Sequence, residues 1–104
     1  MYLIRITEPA QNDIQNAVNY IIKNLKNSTA ALQFFTGVYE AINSMEESLF
    51  RHPLVKAEIF ASYGFRFFLV DDYIVFYVIR EETKTVVIER FLYNRRDWGS
   101  ILKG

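Results

Sequence analysis

Cysteine is absent from this 104-residue sequence, and histidine occurs only once. No disulfide or thiolate metal site can form, a site built from several histidines is excluded, and no redox compartment is implied. Glycine (four) and proline (two) are too scarce, and hydrophobic residues at 51% too many, for a collagen-like, low-complexity or disordered chain. Charge of one sign is also missing. Twelve basic residues balance twelve acidic ones, which excludes a domain that is basic overall, the simplest mark of a nucleic-acid binder. No apolar run approaches the ~18 residues that span a bilayer. Arg5 interrupts the apolar start, and no small-residue cleavage site follows it. The expectation is a cytoplasmic protein with no membrane partner. There is no Walker loop, dinucleotide fingerprint, zinc spacing or Ser-His-Asp set, so neither a cofactor nor a metal is expected.

What the sequence has in surplus is aromatic surface. Nine Phe, seven Tyr and one Trp are many for one small core. A chain of this length buries only roughly 60–65% of its unfolded surface. It forms a single domain, residues 1–104, and part of its apolar surface is left for a partner.

Hydrophobic periodicity gives the order β-α-α-β-β-β. Tyr2 to Ile6 is a short β-prone run that ends at Thr7-Glu8-Pro9, where Thr7 can cap a helix and an early Pro costs little. Ile14, Ala17, Val18, Ile21, Ile22 and Leu25 then follow helical spacing, which predicts an amphipathic helix over Pro9 to Leu25. Asn27-Ser28-Thr29 supplies a turn and a cap. A second helix carries Phe34 or Phe35, Val38, Ala41, Ile42, Met45 and Leu49 on one face, with Gly37 marking a close helix–helix approach. Pro53 ends that pattern, and His52, the one imidazole, reads as a helix-end or loop residue. Beyond it the period changes to two. Phe65 to Val70, Tyr73 to Arg80 and Thr85 to Tyr93 are strands, separated by Asp71-Asp72 and Glu81 to Lys84, and Glu58-Ile59-Phe60 is a candidate short strand before them. The fold class is α+β: an N-terminal strand and a helical hairpin packed on one face of an antiparallel sheet, with a short C-terminal tail.

The strand from Tyr73 is apolar on both faces, with Tyr73, Val75, Tyr77 and Ile79 on one and Ile74, Phe76 and Val78 on the other. Either Trp98, Ile101 and Leu102 fold over the second face, or that face is a docking surface. The neutral total also hides an asymmetry. Residues 1–50 carry a net −2 and the remainder +2, and from Arg90 onward Arg90, Arg95, Arg96 and Lys103 face Asp97 alone. Such a cluster can hold phosphate at short range. RNA cleavage needs a clamp, a base and an acid. Arg66, Arg95 and Arg96 could clamp, and Glu89 and Tyr93 are the candidates for proton transfer.

The residues resemble the RelE/ParE superfamily, toxins of bacterial type II toxin–antitoxin modules. The resemblance runs through Ile4-Arg5-Ile6-Thr7-Glu8-Pro9-Ala10, Val18-Asn19-Tyr20-Ile21, Ala30-Ala31, His52-Pro53-Leu54-Val55, Tyr63-Gly64-Phe65-Arg66 and Ile74-Val75-Phe76-Tyr77-Val78. It is most specific in Arg90-Phe91-Leu92-Tyr93-Asn94-Arg95-Arg96-Asp97-Trp98, an ending habitual in the ParE-like, plasmid-stabilisation branch. The resemblance implies a cognate antitoxin in a toxin–antitoxin hetero-oligomer, and the sheet face of Tyr73, Val75 and Tyr77 is assigned to that partner. It implies one of two targets. A ParE-like toxin acts on DNA gyrase without hydrolysis, and Arg90, Tyr93, Arg95, Arg96 and Trp98 are then the target-binding residues. A RelE-like toxin is an endoribonuclease that cuts mRNA on the ribosome. With Tyr77 in register, one arginine of the cleaving branch falls on Ile74, a second falls on Arg95, its tail tyrosine falls near Ile101, and its lysine cluster is reduced to Lys56. A third reading is a degenerate member that binds its antitoxin and is no longer toxic.

Overall fold

A computed structural model describes residues 2–45 and 64–94. Strand β1 (Leu3–Ile6) leads directly into helix α1 (Glu8–Leu25). Thr7 makes this junction. Its backbone is extended, its hydroxyl accepts from the Ala10 amide at 3.2 Å, and the same hydroxyl donates to the Glu89 carbonyl at 3.0 Å. One side chain thus caps the helix and ties it to the last strand. Helix α1 buries Ala10, Ile14, Ala17 and Val18, with Ile21 partly buried beside them. Ile22 and Leu25 do not join this stripe and are 44% and 65% exposed. Ile22 lies about 80° around the helix from Ile14, and Leu25 is the last helical residue, a turn beyond the packed rows.

Lys26 closes α1 with a left-handed backbone (φ 49°), and the Asn27 side chain caps helix α2 (Ser28–Ser44) by accepting from the Ala30 amide at 3.0 Å. Ala31, Val38, Ile42 and the adjoining Met45 are buried. Phe34 packs partly on the core, while Phe35 is 39% exposed and meets Tyr39 at a tilt instead. Leu49 lies outside the described residues, as do His52, Lys56, the candidate strand at Glu58 and the tail from Arg95. The close approach expected at Gly37 is absent. A Cβ there would meet nothing within 4 Å, because Gly37 lies on the exposed side of α2.

Strands β2 (Arg66–Val70), β3 (Tyr73–Arg80) and β4 (Thr85–Tyr93) form the antiparallel meander, and the sheet order is β1-β4-β3-β2. The sheet is mixed, not purely antiparallel. β1 pairs parallel with β4, with Leu3 opposite Thr85 and Ile6 opposite Ile88. A bulge interrupts β4. Phe76 faces Arg90 and Tyr77 faces Ile88, so Glu89 is the extra residue. The bulge shifts the alternation by one, placing Val86, Ile88 and Phe91 in the same core despite their uneven spacing.

The two faces of β3 are now assigned. Val75 and Tyr77 are fully buried in the core that receives both helices. This corrects the expectation for Val75 and Tyr77 as antitoxin-binding residues, because the helical hairpin takes up that side of the sheet. Only Tyr73 keeps partial exposure. On the opposite face Ile74, Phe76 and Leu92 form a second buried cluster with Phe65 and Phe67 against it. That face is not open at these positions either.

Candidate functional site

The last five residues of β4 extend past the end of β1, and the start of α1 takes the place of the missing strand. The Thr7 amide donates to the Ile88 carbonyl at 3.1 Å, and the Thr7 hydroxyl reaches Glu89. Asp13, one turn further along α1, accepts from the Phe91 amide at 3.0 Å. The same carboxylate receives Arg90 in a bidentate grip, Nε at 2.7 Å and Nη2 at 2.8 Å. The Asp13 hydrogen bonds raise the affinity of the Arg90 guanidinium for its proton, more than offsetting its partial burial. Arg90 is therefore committed to the fold. Its charge is compensated by Asp13, and a quarter of its side chain is exposed.

Beside this pair a groove of about 920 Å³ opens between α1 and the β2–β3 turn. Asp13, Asn16, Ala17, Tyr20 and Ile21 form the α1 wall. Asp71 and Asp72 form the opposite rim, with Phe34, Tyr73, Phe91 and Tyr93 between. The floor is a cluster of four rings. Tyr73 stacks on Phe91 (4.7 Å between centroids, 9° between planes), Phe34 lies 5.4 Å and 6.1 Å from them, and Tyr93 meets Tyr73 edge-on at 5.5 Å. No basic residue among those described lines the groove. Burial pushes the Tyr73 hydroxyl up from its ordinary value, and Tyr93, Tyr20 and Asp72 push it in the same direction.

The candidate catalytic residues that are described stand on two strands, Arg66 on β2 and Glu89 and Tyr93 on β4. Arg66 pairs with Tyr77 and Tyr93 with Tyr73, four residues apart along β3, which separates them by about 13 Å. Glu89 lies on β4 and Arg66 on β2, with β3 between, so two strand spacings of about 5 Å separate their backbones. The Glu89 carboxylate has no hydrogen-bond or ion-pair partner among the described residues. Arg95, Arg96 and Trp98 lie outside them. No group of three or more His, Asp or Glu that could hold a metal ion occurs among the described residues, and no described helix is long and apolar enough to cross a membrane.

Sequence reasoning missed both the Asp13–Arg90 pair and the groove. Two signals were present. A charged residue inside an otherwise apolar strand run needs a partner, and the apolar positions 86, 88 and 91 slip by one, as a bulge requires.

The comparisons agree with this architecture. No curated protein matches the chain significantly. Several solved structures share the fold, including the following two. One is the chromosomal ParDE toxin–antitoxin system from P. aeruginosa, with TM-score 0.72 and 15% identity, covering 89% of this chain and 96% of that one. The other is the toxin–antitoxin complex RelBE2 from Mycobacterium tuberculosis, with TM-score 0.56 and 22% identity, covering 88% of this chain and 96% of that one. The family model of the ParE toxin of the type II toxin–antitoxin system parDE matches residues 4–98, nearly the whole chain. The chain belongs to the ParE toxin family of type II toxin–antitoxin systems.

Proposed function

We propose that this chain is a growth-inhibiting toxin that acts on DNA gyrase by protein contact, without hydrolysis, and that a cognate antitoxin neutralises it. Position 74 carries the choice of target. The mRNA-cleaving relatives resembled here bring an arginine to this register. Here the residue is Ile74, 6% exposed and packed with Phe76 and Leu92. An aliphatic side chain in an apolar cluster cannot clamp a phosphate. The distance of Tyr93 from Arg66 supports the same reading, since a proton donor and a clamp must meet at one phosphate. An antitoxin partner is supported by the two structural neighbours, both described as toxin–antitoxin systems or complexes.

Contact with the target falls to Tyr93 and to Arg95, Arg96 and Trp98 directly after it. Arg90 drops out of this set because Asp13 holds it. Induced expression of the chain alone in bacteria tests the toxin reading. Growth should stop, and co-expression of the protein encoded beside it should restore growth. Unaffected growth would mark a member that binds its antitoxin and has lost toxicity.

A further inference from the structure

We propose that the groove between α1 and the β2–β3 turn seats a cationic anchor of the antitoxin: an Arg or Lys side chain flanked by an apolar residue. This rests on the toxin reading above and adds the place and chemistry of neutralisation.

Shape comes first. At about 920 Å³ the groove is large enough for several side chains, and aromatic rings floor it. Tyr20 remains 57% and Tyr93 38% exposed at its sides. Ring faces of this kind bind apolar groups and cations alike.

Charge selects between those occupants. Asp71 and Asp72 stand on the rim, and no described cation pairs with either. Asp13, the third carboxylate at the groove, is already compensated by Arg90 and adds little. The two rim carboxylates are adjacent in sequence and repel each other, and Asp71 holds a left-handed backbone (φ 52°) that glycine or asparagine would adopt more easily. The turn is therefore not optimised for its own stability. An acidic peptide would meet two uncompensated carboxylates and the hydroxyls of three tyrosines. A peptide bearing an Arg or Lys would gain the carboxylates as partners and the tyrosine faces as a bed.

The position also accounts for neutralisation. Asn94 donates its amide to the Asp72 carbonyl at 2.8 Å, fixing the end of β4 at the groove rim. Tyr93 lines the groove and heads the segment assigned to the target. A partner seated on Tyr73 and Tyr93 covers the start of that segment.

The test uses the full chain and the protein encoded beside it, with affinity measured by titration calorimetry at low and high salt. Asp71→Asn/Asp72→Asn, which preserves shape, should weaken binding about tenfold at low salt and flatten its salt dependence, with the melting temperature unchanged or raised, since the variant relieves the repulsion and suits the left-handed backbone. Asp71→Lys/Asp72→Lys should weaken it further, and an Arg or Lys→Glu change in the antitoxin should restore part of the loss. Unchanged affinity of the Asn variant, with wild type binding normally, would overturn the groove proposal and leave the toxin reading intact. Unchanged affinity with a salt-dependent loss of stability would overturn it too, by showing that the rim carboxylates serve this chain's own Arg95 and Arg96. Failure of the wild-type chain to bind the neighbouring protein would instead remove the toxin reading itself.

Discussion

Asp13 on α1 grips Arg90 on β4 through two hydrogen bonds of 2.7 and 2.8 Å, across 77 residues of sequence. The same carboxylate takes the Phe91 amide, so three donors meet one side chain that is 9% exposed. Removing the acceptor leaves a charge and a backbone donor with no other described partner. Asp13→Ala should cost about 2–3 kcal/mol and Arg90→Ala somewhat less, because Asp13 then keeps the amide. Urea denaturation of both single variants and the double variant checks this, with a coupling energy above about 1 kcal/mol expected. Additive effects would mean that the pair is not a working contact.

Thr7 joins two elements with one hydroxyl. Thr7→Ala removes the helix cap and the bond to the bulged Glu89 carbonyl, and should cost about 1–2 kcal/mol. Thr7→Ser keeps both bonds and should recover most of that loss in the same denaturation experiment.

Glycine and lysine stand in the wrong places for stability. Gly37 is helical, exposed and free of neighbours, whereas Lys26 is left-handed. Gly37→Ala and Lys26→Gly should each stabilise the chain by about 0.5–1 kcal/mol. A rise of a few degrees in melting temperature per substitution is the expected readout.

Burial pushes the Tyr77 hydroxyl up to about 12, against an opposing effect of nearby Arg66. The unfolded chain ionises this group near its ordinary value of 10.0 and the folded chain only near 12. Its contribution to stability is complete below pH 10 and is lost as pH rises through 12. Tyr73 is shifted in the same direction and adds to the trend. Chemical denaturation between pH 9 and pH 12 should show stability falling with pH, and Tyr77→Phe should make that fall shallower.

The sequence carried local structure well and long-range pairing poorly. β3 and β4 were readable to the residue because Asp71-Asp72 and Glu81 to Lys84 are strong turn signals, and Asp71 and Lys84 in them adopt positive φ. α1 differs from its periodicity by one residue at its start. Both faces of β3 were apolar, so alternation could not tell which one the helices cover. That ambiguity assigned Val75 and Tyr77 to a partner when they belong to the core. The parallel pairing of β1 with β4 and the commitment of Arg90 to Asp13 depend on contacts about eighty residues apart, which no local pattern encodes. The tail motif, in contrast, identified the family that the match over residues 4–98 establishes.

The choice of target can be decided with purified components. DNA gyrase supercoiling should be measured with the chain alone and with its antitoxin added, alongside mRNA integrity on translating ribosomes. The gyrase reading predicts inhibited supercoiling that the antitoxin relieves, with mRNA intact. Full supercoiling activity together with ribosome-dependent cuts in the message would contradict it.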